Sequence, residues 1–268
     1  NVNDAHKLDS TDTALCILPI YHINGLSVTI MGTLVSQSQL VMPRRFSASQ
    51  FWSMIRTHDC SWFSGVPTQF SYLLNDSATP DLNKERLRFA RSASAPLSPT
   101  VQKTFESRFG IPIIETMGLT ETGAQILSNP LPPATRKIGS PGIAFGNEVA
   151  IWDKDRNHLP ANSEGEIMIR GNNVMQGYLD RPEETEKTLT SDGWLHTGDL
   201  GRMDSDGYVF VTGRIKELII KGGENIAPRE IDEALMAHEA VLEAAAFPVN
   251  CDDYGQRVEA CVTLKSGM

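Results

Sequence analysis

The run Glu115-Thr116-Met117-Gly118-Leu119-Thr120-Glu121-Thr122 sets a hydroxyl and a carboxylate side by side beyond a sharp turn. The apolar pair Ile113-Ile114 before it reads as the end of a buried strand, so these polar groups stand where the chain leaves a core. A glycine lets backbone come close to a ligand, and a threonine hydroxyl suits a phosphate oxygen. A carboxylate one residue on suits a divalent cation beside that phosphate. Alone, such residues are ordinary turn chemistry. Further polar blocks lie downstream. In Gly193-Trp194-Leu195-His196-Thr197-Gly198-Asp199-Leu200-Gly201, the tight turn at Thr197-Gly198 pushes the Asp199 carboxylate outward, and its two oxygens suit a pair of vicinal hydroxyls. A third block, running from Gly213 to Ile231, carries the cations Arg214 and Lys216. It then makes a glycine turn, Lys221-Gly222-Gly223-Glu224-Asn225, before a helix that opens at Pro228.

Three such blocks in this order resemble the adenylate-forming superfamily of acyl-CoA synthetases, luciferases and peptide-synthetase adenylation domains. They are most similar to the AMP-forming acyl-CoA synthetases, over essentially the whole chain. The resemblance implies a carboxylic acid, ATP and coenzyme A as substrates, with Mg2+ as the metal, by way of an acyl adenylate. It assigns phosphate to Thr120, the metal to Glu121, the ribose hydroxyls to Asp199 and the nucleotide to Arg214. Lys216 is the expected hinge of a mobile carboxyl-terminal domain. Lys221, Gly222 and Gly223 form the loop that swings in for the thiol step. Ser94, Ala95 and Pro96, small residues ending a strand, form one wall of the adenine pocket together with Gly118 and Met117. His22 lies beside the acyl pocket, as do Gly65 and Val66. His196 is read as structural.

The chain departs from the family pattern at Met117, where an aromatic residue usually stacks on adenine; a thioether packs on a ring face with less defined geometry. The glycine-, serine- and threonine-rich phosphate loop is not found in residues 1–13, and the late lysine of the adenylation step is not in the sequence. The expectation is a middle and late portion of a larger enzyme, inactive by itself. Two alternatives stay open: loading of a carrier protein, and a non-catalytic nucleotide-binding module of the same fold. The expected acyl-pocket walls, namely the helix after His22, the Ser64 to Thr68 region and the central turn, hold no lone arginine or lysine to announce a second carboxylate. That leans toward a modest apolar acyl group, as in fatty acid metabolism.

The elements that must position these groups alternate. Ala14 to Ile20 reads as a buried strand followed by a helix from about Leu26 to Leu34, Gln39 to Met42 as a second strand, and Trp62 to Gly65 as a third. Ser47 and Gln50 have the spacing of a capping box for the helix beginning at Phe51, and Pro67 opens another helix. Leu82 to Arg88 reads as charged and solvated, and Phe89 to Leu97 as a strand ahead of a helix at Ser98-Pro99. This predicts an α/β layered, mostly parallel sheet with ligands at strand carboxyl ends.

From about Ile138 the texture changes to short alternating runs, Glu148 to Trp152 and Glu166 to Arg170, between turn-forming segments. Asp204 to Gly207 reads as a hairpin turn with solvated acids. The expected division is residues 1–137 as the α/β part of a large adenylation domain, 138–213 as its β-rich subdomain, and 214–268 as the hinge and start of a small α+β domain.

With 268 residues, 40% of them hydrophobic, the chain can bury a sizeable core. A formal charge of -9 offers no basic field for a nucleic acid backbone. Cys16, Cys60, Cys251 and Cys261 lack metal-site or disulfide spacing and read as the reduced cysteines of a cytoplasmic protein. No apolar run reaches membrane-spanning length, and Asn1-Val2-Asn3-Asp4 does not open a signal peptide. The sequence leaves the oligomeric state open.

Overall fold

The computed structural model describes residues 1–77, 80, 83 and 85–265. Leu82 and Lys84 of the charged stretch, and the last three residues, lie outside the described residues. Within that stretch Arg88 is paired rather than simply solvated, donating from Nη2 to Asp12 Oδ2 at 2.8 Å.

Seven strands form the first sheet: β1 (Thr13–Cys16), β2 (Gln39–Val41), β3 (Trp62–Gly65), β4 (Phe89–Ser92), β5 (Ile113–Leu119), β6 (Ala124–Ser128) and β7 (Ile143–Ala144). Their order is β2-β1-β3-β4-β5-β6-β7. The first five are parallel, and β6 and β7 add on antiparallel. The strand order reverses between β1 and β3, which opens a crevice beyond the strand carboxyl ends.

The four residues of each of β1, β3 and β4 are all buried, because both faces of the sheet are covered. Alternate side chains go to opposite cores. Leu15, Phe63, Ala90 and Ile113 join one core with Phe51, Trp52, Phe70 and Phe105 from the helices α3 (Ala48–Thr57), α4 (Pro67–Asn75) and α5 (Pro99–Phe109). Ala14, Trp62, Phe89 and Ile114 face the other way, against Leu8 and Val28. Two short helices, α1 (Val2–His6) and α2 (Gly32–Ser36), lie earlier in the chain.

A second sheet, β8 (Glu148–Trp152), β9 (Glu164–Arg170), β10 (Leu195–Met203) and β11 (Val209–Arg214), is antiparallel in the order β11-β10-β9-β8, with α6 (Pro182–Thr188) between β9 and β10. Its Ile151, Ile167, Ile169 and Val209 share a core with Ile126 and Leu127 of β6, which joins it to the first sheet. A third sheet pairs β12 (Ile219–Lys221), β13 (Glu224–Ile226), β14 (Val241–Cys251) and β15 (Gly255–Leu264), with α7 (Pro228–Met236) against β14. Among the described residues no helix is long and apolar enough to cross a membrane.

The structure departs from the sequence expectations in further local places, one of them at β4, which ends at Ser92 rather than running on to Leu97. The first strand ends at Cys16. The helix after it begins at Asn24 and is π-helical to Met31 before α2 continues it. Gly25 sits so close to the outgoing chain that a Cβ there would lie 2.3 Å from the Pro19 carbonyl oxygen. Ser47 occupies the N-cap position of α3, but its hydroxyl turns to Ser49 Oγ at 3.2 Å, so the expected box is not closed. The reach-back is made instead at α4, where the Val66 amide donates to Gln69 Oε1 at 3.0 Å. At the β10–β11 turn the acids are engaged, with Lys137 Nζ donating to both Asp204 Oδ2 and Asp206 Oδ2 at 2.7 Å.

Candidate functional site

Thr120 and Glu121 form a single helical turn at the end of β5, clasped by Thr122, whose hydroxyl lies 3.2 Å from the Leu119 amide that donates to it. Gly118 is required here by the fold itself: a Cβ would fall 1.9 Å from the Ala124 carbonyl oxygen on β6. The glycine therefore permits the β5–β6 approach that carries the turn. Glu121 accepts from the Tyr178 hydroxyl at 2.8 Å through Oε1. Among the described residues no cluster of three metal-ligating side chains exists. One carboxylate and one hydroxyl fit Mg2+, which takes one or two carboxylates and completes its shell with substrate phosphates and water.

Asp199 is built into β10 from the neighbouring strand. Glu166 on β9 accepts the Gly198 amide at Oε1 (2.9 Å) and meets His196 Nδ1 at Oε2 (2.9 Å). The Thr197 hydroxyl donates to the Ile167 carbonyl at 2.7 Å. His196 thus has the structural setting read for it. Gly198, at φ +71, makes the turn that only a residue without a Cβ adopts readily. Arg214 at the end of β11 donates from Nε to Asp199 Oδ1 at 2.6 Å. Burial pushes the Asp199 carboxyl above its usual range, and Arg214 opposes that shift. Asp199 in turn holds the Arg214 guanidinium above its ordinary value.

These groups converge on one cavity of about 410 Å³, bordered by Ser94, Ala95 and Pro96 after β4, by Met117 and Gly118, and by Asp199 and Arg214. Ser94 reaches it through a left-handed backbone, φ +74, and its hydroxyl accepts from Asn24 Nδ2 at 3.2 Å. Ser94, Gly118, Leu119 and Arg214 also border a second cavity of about 230 Å³, where Thr120, Glu121 and His22 stand. The two cavities therefore share a wall.

Gly65 and Val66 border neither cavity: Gly65 is buried, and its missing Cβ faces Gln69, Phe70 and Ile17. Lys216, Lys221, Gly222 and Gly223 are exposed and also border neither one. Gly222 and Gly223, at φ +59 and +88, are the two central residues of the hairpin between Lys221 and its partner Glu224, the geometry of a type I′ turn.

Two residues escaped the sequence reading. Glu115 borders the larger cavity, almost wholly buried; its Oε1 accepts the Leu97 amide at 3.0 Å and its Oε2 has no partner. Burial raises its carboxyl to about 7. Arg91 on β4 borders the smaller cavity and is 1% exposed. β4 lies outside the acyl-pocket walls expected from the sequence. The signal available was one cation inside the apolar strand Phe89-Ala90-Arg91-Ser92.

The sheet order, the polar groups at the strand carboxyl ends and the paired cavities define an α/β fold with a ligand crevice at its topological switch point. Residues 1–179 match the family described as AMP-binding enzyme, and the chain belongs to it. It is similar to a sulfoacetate–CoA ligase of Cupriavidus necator, with 51% identity over 99% of this chain and 52% of the relative. It is also similar to an oxalate–CoA ligase of Arabidopsis thaliana, with 37% identity over 100% of this chain and 52% of the relative. A solved structure of o-succinylbenzoate coenzyme A synthetase from Bacillus subtilis, in complex with ATP and magnesium ion, superposes with a TM-score of 0.85. It is 32% identical, over 98% of this chain and 54% of that one. The chain thus spans about half the length of the relatives it matches.

Proposed function

We propose that this chain carries the adenylate site of an AMP-forming acid–thiol ligase. A carboxylate oxygen of the acid attacks the α-phosphorus of ATP, the bond to pyrophosphate breaks, and an acyl adenylate forms. The thiol sulfur of coenzyme A then attacks the acyl carbon, and AMP leaves with the electron pair of the broken bond. A free carboxylate is a poor acyl donor, so the mixed anhydride supplies the leaving group. In this reading Asp199 accepts from both ribose hydroxyls, and its pairing with Arg214 fixes the arginine toward the phosphate side. Thr120 donates to a phosphate oxygen. Ser94, Ala95 and Pro96 flank adenine opposite Met117. Mg2+ would be held by Glu121 and would neutralise phosphate charge as it builds.

The observation that carries this reading is the meeting of Asp199, Arg214, Gly118 and Ser94, from four separate segments, at one cavity that continues into a second beside Thr120 and Glu121. The acceptor named for the relatives supports coenzyme A over a carrier protein. The acids named for two of them, sulfoacetate and oxalate, are two-carbon acids bearing a second acid group, and we carry that class to this chain in place of an apolar acyl group.

The residues from 214 onward act, in the same reading, as the part that rearranges about Lys216 between the two steps, bringing Lys221, Gly222 and Gly223 toward the thiol. His22, at the smaller cavity, lies beside the acyl group. Calorimetric titration of AMP into the chain and into its Asp199→Ala variant tests the core of the reading. Binding by the parent that falls at least tenfold in the variant is the expected result. Equal affinities would overturn the assignment of Asp199.

A further inference from the structure

We infer that Arg91 is the receptor for a second anionic group, a sulfonate or carboxylate, on the acid that this site activates; the inference rests on the adenylate reading above.

Among the described residues Arg91 has no carboxylate partner. Its Nη1 donates to Asn24 Oδ1 at 2.8 Å and to Ser64 Oγ at 3.2 Å, and its Nη2 donates to Gln125 Oε1 at 3.4 Å. All three acceptors are neutral. Its buried Nε–H has no acceptor, and none of the ion pairs among the described residues includes it. Neutral acceptors orient a guanidinium but do not offset the cost of taking its charge out of water. That cost is visible as a fall in its pKa to about 9 through burial. Nearby His6 is fully buried and held neutral, with its pKa pushed down to about 3 by burial and by the Arg91 charge. As a neutral imidazole it adds no second positive charge beside Arg91.

Arg91 borders the cavity of about 230 Å³ together with His22, Asn24 and Thr120. Arg214, at the junction with the larger cavity, also borders this space. An acid with one carboxylate at the phosphate side and a second anionic group on Arg91 would bridge the two, and the small volume favours a short acid. Planar guanidinium matches carboxylate and sulfonate oxygens by paired donors, and such a pair is strongest where water is excluded. A neutral tail of the same size would leave the charge unanswered.

The alternative is that Arg91 only ties the segments of Asn24, Ser64 and Gln125 together. A tie of that kind would affect folding and all ligands alike, whereas a receptor changes the ratio between an anionic and a neutral tail. The test is therefore that ratio. Calorimetry would compare AMP and three non-hydrolysable acyl-sulfamoyl adenosines, with sulfoacetyl, malonyl and butanoyl tails, on the parent chain and on Arg91→Met and Arg91→Lys.

The parent is expected to favour the charged tails over butanoyl by about 30-fold, as a charge-assisted hydrogen-bond pair implies. Arg91→Met should bring that ratio to about one while changing AMP affinity by less than about threefold, and Arg91→Lys should keep part of it. A parent that binds butanoyl as tightly as the charged tails overturns the inference without recourse to any variant, as does a ratio unchanged in Arg91→Met. Failure of the parent to bind AMP or any tail would overturn the adenylate reading itself. AMP binding without tail preference removes Arg91 alone.

Discussion

The Asp199 carboxylate is buried at the junction of two strands and has one oxygen taken by Arg214, so its worth to a ligand depends on what it gains there. Hydrogen bonds from hydroxyls to a charged acceptor contribute about 1.5–3 kcal/mol each, so the loss of two in Asp199→Ala is expected to weaken AMP by roughly 100-fold or more. Asp206→Asn, on the exposed β10–β11 turn, serves as the control and should change affinity less than about twofold. Glu115 makes a second prediction at this scale. Its carboxyl is raised from 4.5 to about 7 by burial, with Glu233 adding to the shift and the Leu97 amide and Arg229 opposing it. Between those values the folded state binds more protons than the unfolded one, so stability falls as pH rises from about 4.5 to about 7 and levels off above. The loss is about 3 kcal/mol at most. Glu115→Gln keeps an acceptor for the Leu97 amide and is expected to flatten that slope in urea midpoints measured between pH 5 and 7.5. An undiminished slope would assign it to other groups.

Elements were legible where burial is continuous. Trp62–Gly65 and Glu148–Trp152 stand where their apolar runs put them, because strands covered on one or both faces must be apolar at the covered positions. Asp199, Thr120 and Glu121 were nameable as candidates because each motif is contiguous in the chain, and the structure sets them at two adjoining cavities. Arg91 and Glu115 were not, since nothing in a strand's own sequence says which cavity its end will border. The π-helical form of Asn24–Met31 was not legible either; Gly25 within it lies against Pro19, six residues earlier, a closeness that the apolar pattern does not state. Gly118 separates local from tertiary demands. Gly118→Ala would drive a Cβ into the Ala124 carbonyl on β6 and is expected to cost more than about 3 kcal/mol. Gly193→Ala faces open space and carries only the strain of its left-handed backbone, φ +87, about 1–2 kcal/mol. Chemical denaturation of both variants checks the order; equal losses would mean that the β5–β6 hairpin yields to the added methyl.

No single sheet completes the larger cavity. Ser94 follows β4 and Glu115 lies on β5 of the first sheet, Asp199 and Arg214 come from the second, and Arg229 and Asp232 from α7 beside the third. The contact of α7 with this wall includes Arg229, which donates from Nη1 to the Val211 carbonyl, while its Nε donates to Glu233 Oε1 of the same helix at 2.8 Å. A ligand that touches all three walls binds only the state in which they are docked, and at one hundred times its dissociation constant it adds about 2.7 kcal/mol to that state. AMP is therefore expected to slow amide exchange in residues 94–97, 115–119 and 199–214 and, at a distance in sequence from the nucleotide motifs, in 228–236. Arg229→Ala removes the α7 anchor while leaving Asp199 and Arg214 in place. In that variant, protection of 228–236 by AMP should be lost, with the other three segments still protected. Protection confined to the first three segments in the parent would mean that α7 docks independently of nucleotide, leaving the site to the first two sheets alone. Protection of all four segments that vanishes together in Arg229→Ala would instead make α7 a structural requirement for the nucleotide pocket.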